Sequence, residues 1–230
     1  MSKVKVSFVH FLISAIFILL FCAFVYFVWY QQVYFNVSGV GVPLKLLFVV
    51  DVILGPLLTL IIYKEGKKYL KMDLLLIALF QLIAFFYGVY NIYLGKPSLV
   101  IHRTGYLEVV IEKDIDYDLL SDEMNEQGFW LFPVYGKIES DLLSPVSNVH
   151  DYLSQVTPFD VQNKVSFTRP LTLDQARDTF KNSSTETKKD FDLINQKNKN
   201  YIYYELKFEQ IYGVLIIDKS NLQFKTVLTP

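Results

Sequence analysis

Val6–Tyr30 reads VSFVHFLISAIFILLFCAFVYFVWY, and two later runs share its character: Leu46–Tyr63 (LLFVVDVILGPLLTLIIY) and Leu74–Leu94 (LLLIALFQLIAFFYGVYNIYL). The first run holds one ionisable group of note, His10, along with Cys22; the second holds one charge, Asp51, and the third none. Each approaches or exceeds the roughly 20 residues that a helix needs to cross the hydrocarbon core. Inside lipid, a helix is the simplest way to satisfy every backbone donor and acceptor. The sequence therefore predicts three transmembrane helices, over about 6–30, 44–63 and 73–94.

Lys3 and Lys5 precede the first run, as they would in a secretory signal. The apolar stretch is too long for one, and no small-x-small cleavage site follows. Val28-Trp29-Tyr30 at its far end suits an interfacial anchor instead, so the run is read as a retained span. Lys64, Lys67, Lys68 and Lys71 fill the hinge between spans two and three, whereas Gln31–Pro43 carries no charge and Lys45 lies just beyond it. The positive-inside rule puts the N-terminus and the lysine hinge in the cytoplasm. Three spans then place everything after Leu94 outside, as an extracytoplasmic domain.

Charge divides at that boundary. Residues 1–97 hold eight Lys and three acids, and residues 98–230 hold fourteen Lys/Arg and twenty Asp/Glu. An acidic external part argues against nucleic acid, which needs a basic face. The hinge lysines suit topology and contact with anionic membrane lipid. Cys22, inside span one, is the only cysteine. The external part thus has no intramolecular disulfide, cysteine zinc site or cysteine nucleophile.

Residues 98–230 are enough to bury a core without staples. Ser98–Arg103 and Tyr106–Glu112 look like strands around a Thr104-Gly105 turn. Gly128–Gly136 is an aromatic strand candidate that Pro133 demotes to an edge or bulge. Leu171–Lys181 reads as a helix with Thr172 as N-cap, and the polar stretch Asn182–Asn200 as an exposed helix or a loop. Tyr201–Phe208, Ile211–Asp218 and Leu222–Leu228 read as consecutive strands, the last two joined by Lys219-Ser220-Asn221. The prediction is a membrane protein with an α+β domain on a mainly antiparallel sheet, divided as 1–97 and 98–230.

Asp114, Asp116 and Asp118 open like a calcium loop, but Leu119 stands where the turn glycine belongs and Asn125 where the bidentate acid belongs. The plainer reading is a solvated acidic face over Glu108–Glu126, with docking of a basic partner as the alternative. His10, His102 and His150 lack metal-ligand neighbours at helical or hairpin spacing. No phosphate loop or nucleophile elbow is present. The chain is read as a non-enzyme without metal or cofactor.

Within the spans a polar stripe stands out. Asp51, Gly55 and Thr59 recur every four residues on span two, with Pro56 directly after Gly55. Gln81, Ala84, Gly88 and Asn91 recur at three and four on span three. With the helices antiparallel, Asp51 is expected level with Tyr87–Asn91, and Thr59 nearer Gln81. Small residues allow close approach and polar ones bond across, so the stripes read as a helix–helix seam. Asp51, Gly55, Pro56, Thr59, Gln81, Tyr87, Gly88 and Asn91 either hold spans two and three together or grip another transmembrane helix.

Val50–Lys64, with its VDVILGPLLTLIIYK pattern, resembles the hallmark of the type IV pilin accessory proteins of the TfpX/TfpZ family. So do Gln81–Tyr90 and Gly95-Lys96-Pro97, and the order of features matches over residues 1–112. Where an Asp-Arg-Phe triplet is common in that family, this chain has His102-Arg-Thr-Gly-Tyr106, keeping the arginine and an aromatic. The resemblance implies a non-enzymatic inner-membrane factor of a Gram-negative bacterium with its C-terminal domain in the periplasm. Its partner would be a cognate type IV major pilin, with other pilus assembly components in attendance. Two rival readings are a membrane-anchored sensor with a ligand pocket and a transporter or membrane enzyme, the latter weakened by only three spans and a single intramembrane charge.

Overall fold

A computed structural model describes residues 2–103, 106–138, 149–159, 170–197, 200–209, 211–218 and 224–229. Its first helix, α1 (Lys3–Phe24), starts at Ser2, whose Oγ accepts from Lys5 N, and runs into a π-helical turn at Val25–Trp29. The second span is α2 (Gly41–Phe48), a π-helical stretch (Val49–Leu54) and α3 (Gly55–Ile62). The third is α4 (Leu70–Leu94), ended by Gly95. The three are 27, 22 and 25 residues long and apolar enough to cross a bilayer. The chain is a multi-pass membrane protein.

A seven-stranded sheet follows, in the order β4-β3-β1-β2-β5-β6-β7. Its strands are β1 (Pro97–His102), β2 (Tyr106–Ile111), β3 (Val134–Lys137), β4 (Thr157–Pro158), β5 (Tyr201–Phe208), β6 (Ile211–Asp218) and β7 (Phe224–Leu228). Four pairings are antiparallel; β1 with β3 and β2 with β5 run parallel. β1 and β2 are central and buried almost throughout, as their near-continuous apolar runs require.

Helices α5 (Asp122–Asn125), α6 (Leu173–Thr179) and α7 (Thr185–Lys197) complete the α+β domain. The α6 N-terminus is a reciprocal capping box. Thr172 Oγ1 accepts from Gln175 N at 3.2 Å, and Gln175 Oε1 accepts from Thr172 N at 2.9 Å. One core gathers Leu99, Ile101, Val110, Met124, Tyr152 and Leu153, and a second gathers Ala176, Phe180, Phe191, Tyr203, Val214 and Ile216.

Several element ends differ from the sequence expectation. The third strand starts at Val134 rather than Gly128, because Pro133 has no N–H to give a ladder. The polar stretch after residue 182 forms α7. The Thr104-Gly105 and Lys219-Ser220-Asn221 turns lie outside the described residues.

By packing the chain forms two units. A membrane unit comprises Met1–Phe27 and Gly39–Gly95; a C-terminal unit comprises Lys96–Pro230 together with Val28–Ser38, the last two residues of span one and the segment that follows them. Tyr30, Tyr34 and Val37 of that segment are buried within the C-terminal unit.

Candidate functional site

The polar groups of all three spans converge on the Gly55–Thr59 turn. Pro56 has no N–H, so the carbonyl four residues earlier loses its α-helical donor and the ring crowds it. The π-helical stretch Val49–Leu54 immediately precedes it, and there Gly55 N–H bonds Val50 O. The extra residue per turn makes room for the ring. The Pro56 carbonyl itself accepts from Ser7 Oγ of α1 at 2.7 Å.

Thr59 Oγ1 donates to Gly55 O at 3.0 Å. Its single proton is thereby committed, so His10 Nδ1, at 2.8 Å from the same oxygen, is the donor in that pair. From span three, Gln81 Nε2 donates to the Asp51 backbone carbonyl at 3.2 Å. The Gln81 amide also reaches the His10 and Asp51 side chains. It lies across Gly55 so closely that a Cβ there would sit 2.0 Å from Gln81 Nε2. Glycine at 55 is what lets span three bond the backbone of span two.

Asp51 is 7% exposed, and its Oδ2 has no hydrogen-bond partner among the described residues. An unpaired carboxylate oxygen at such depth is costly and marks a functional candidate.

Of the eight expected residues, the structure brings Asp51, Gly55, Pro56, Thr59 and Gln81 together, and packs Gly88 onto Leu47. Tyr87 and Asn91 are not in the seam. Tyr87 is 70% exposed, Asn91 is exposed too, and Asn91 Nδ2 donates back to Tyr87 O at 2.7 Å. The expected register is thus off by about one turn: Gln81 faces Gly55 rather than Thr59, and Gly88 faces Leu47 rather than Asp51. The cause is the hinge, whose Leu70–Met72 joins α4 and starts span three earlier than its apolar run. Sequence reasoning also missed Ser7 and His10 as cluster members. Their i, i+3 spacing in an apolar helix was the available signal.

The C-terminal unit holds two further polar groups, both at positions that carried the family resemblance. Lys96 is fully buried, and its Nζ meets Glu112 Oε2 at 3.0 Å, Ser98 Oγ at 2.6 Å and Phe129 O at 2.5 Å. Glu112 also accepts from Ser98 Oγ at 2.6 Å and from Tyr117 Oη at 2.7 Å. Burial alone would raise the Glu112 carboxyl, but those donors outweigh it and hold it below its ordinary value. The second group is Glu108, which takes Arg103 Nη1 at 2.7 Å on one oxygen and Lys207 Nζ at 2.6 Å on the other. Arg103 also stacks over Tyr152 at 4.5 Å.

Glu108 and Glu112 are 3% and 8% exposed, so the expected solvated acidic face does not include them. Their carboxylates point into the sheet, where cations from distant positions meet them. Asp116 Oδ1 accepts from Asp118 N at 3.1 Å. The described residues include no group of three or more metal-ligating side chains.

A cleft of about 660 Å³ lies between α6, α7 and β5, lined by Leu171, Leu173, Arg177, Asp192, Asn195 and Tyr203 among others. Arg177 in its lining pairs with Asp192 at 3.5 Å and with Asp174 at 3.8 Å.

Similar proteins come from Dichelobacter nodosus. The fimbrial assembly protein of serogroup I is 37% identical over 134 residues, 57% of this chain and 51% of the relative. That of serogroup E1 is 36% identical over 137 residues, with the same coverage. That of serogroups C1 and C2 is 37% identical over 121 residues, 50% of this chain and 90% of the relative. The match spans about half the length of the first two relatives. No family model and no solved structure matches the chain.

Proposed function

The chain belongs to the family of fimbrial assembly proteins, and from that premise we propose that it is a non-enzymatic accessory factor of type IV pilus assembly. In this reading it is of the TfpX/TfpZ kind, lies in the inner membrane of a Gram-negative bacterium, and acts on a cognate major pilin. The lysine hinge supports a cytoplasmic N-terminus and a periplasmic C-terminal unit.

The observation that carries the reading is the division of polar residues in the spans. Inside the bundle Ser7 bonds the Pro56 carbonyl, His10 bonds Thr59, Thr59 bonds the Gly55 carbonyl and Gln81 bonds the Asp51 carbonyl, and these contacts hold it together. Tyr87 and Asn91, one turn apart on α4, remain on the outer surface, where lipid or another helix must meet them. A pilin awaiting assembly is anchored by one apolar helix, and a Tyr/Asn stripe offers it hydrogen bonds that lipid cannot. A second contact from the C-terminal unit to the pilin head would gain effective concentration from the shared membrane.

The test is deletion of the gene and complementation by a copy with a C-terminal reporter active only outside the cytoplasm. Deletion is expected to lower surface pili or pilin level, and the copy to restore them with an active reporter. Unchanged pili, twitching and pilin level would remove the accessory role, and a silent reporter would remove the periplasmic placement.

A further inference from the structure

Trp130, Leu131 and Phe132 are 70%, 42% and 52% exposed, three consecutive large apolar residues on the C-terminal unit. The residues on either side of them are buried: Phe129 is 6% exposed, and Pro133 is buried ahead of β3. The loop is therefore held firmly at both ends while its tip projects. No charged residue occurs from Gln127 to Gly136.

Each flank is tied to a segment that has just left a span. On one side, the Phe129 carbonyl accepts from Lys96 Nζ at 2.5 Å. Lys96 follows the last residue of span three, Leu94, by two positions, so its backbone lies within about 7 Å of the helix end. On the other side, the Tyr135 side chain meets that of Tyr34, in the segment after span one, where burial and the Tyr135 neighbour push the Tyr34 phenol up. Tyr34 N donates to Tyr30 O at 3.1 Å, closing one turn within this segment. The headgroup zone of a bilayer is roughly 6 Å deep on each face. The loop is thus joined, through residues of its own unit, to segments that follow spans three and one by only a few positions.

We propose that the Trp130-Leu131-Phe132 loop inserts into the headgroup–acyl boundary of the membrane, anchoring the C-terminal unit to lipid independently of the three spans. Trp at the interface with two apolar neighbours is the composition that this zone favours. With no charged side chain of its own, the loop escapes the largest desolvation cost of entry. The inference does not depend on the pilus reading or on which face of the bilayer the unit occupies.

The chain has two tryptophans, Trp29 and Trp130, so Trp29→Phe leaves Trp130 as the sole reporter. The full-length variant is reconstituted in vesicles of phosphatidylethanolamine and phosphatidylglycerol. The expected Trp130 emission is blue-shifted, protected from aqueous acrylamide, and quenched more by a lipid spin label near the headgroup than by one deep in the acyl chains. Leu131→Ser with Phe132→Ser should return it toward the emission of a water-exposed indole. If Trp29→Phe does not fold, the difference between the unaltered chain and Trp130→Phe reports the same quantity. Free quenching by acrylamide would overturn the proposal. So would protection without quenching by lipid labels, or protection that appears only after pilin is added, since either would seat the loop on protein.

Discussion

Asp51 in the membrane unit and Glu108 in the C-terminal unit are both buried carboxylates, yet their surroundings differ. Both Glu108 oxygens bind cations, Arg103 and Lys207. Asp51 has a neutral amide beside it and one oxygen with no partner among the described residues. In the sheet unit the buried charges of Lys96, Arg103, Glu108 and Glu112 form closed networks, because a buried ion is tolerated when its lone pairs are satisfied. The helical bundle instead uses neutral donors and backbone carbonyls, Ser7 on Pro56 O and Gln81 on Asp51 O. A lysine or arginine there would have to cross lipid unpaired before the bundle formed. Charge pairing organises one unit and neutral hydrogen bonding the other.

The largest test of that contrast is Glu108→Ala. It leaves Arg103 and Lys207 facing each other without an anion, and should destabilise the C-terminal unit by about 3–5 kcal/mol. Thermal unfolding or limited proteolysis of the full chain measures it. A loss below about 1 kcal/mol would mean that the network is as weak as a surface pair.

His102 gives a pH-dependent test in the same unit. Burial against Phe159, at 4.1 Å between rings, pushes its imidazole down to about 4. The unfolded chain would titrate near the ordinary 6.5. Between those values the unfolded state binds the extra proton, so stability is highest above the upper one and falls as pH drops toward the lower. The loss is at most on the order of 3 kcal/mol. His102→Phe should flatten this part of the curve, whereas an unchanged slope would assign it to other groups.

The smallest effect is expected at Asp51. Asp51→Asn keeps a hydrogen bond to Gln81, not to Tyr87 or Asn91 as the sequence register implied, and should leave protein abundance normal. Asp51→Leu should cost roughly 1–2 kcal/mol and lower abundance. Crosslinking to pilin separates the two roles. If Asp51→Asn loses the crosslink at normal abundance, the carboxylate engages the partner and is more than a bundle contact.

What was legible in the sequence was what is local. Twenty-residue apolar runs define spans, alternating apolar residues define strands, and the Thr172…Gln175 spacing defines a helix start. Each depends on neighbours within a few positions. The stripe Asp51-Gly55-Thr59 was visible for the same reason, since helical periodicity is local.

The pairing of distant groups was decided only by tertiary structure. Lys96 and Lys207 look like any surface lysine until the sheet brings them to Glu112 and Glu108. Ser7 and His10 are two polar residues in an apolar helix until the first span packs on Pro56 and Thr59. Val28-Trp29-Tyr30 reads as the anchored end of span one and Gln31–Pro43 as a connecting loop, yet Tyr30 and Tyr34 are buried in the C-terminal unit. Local physics sets which elements form, but register and partner depend on how all of them bury one another, and no single stretch of sequence contains that sum.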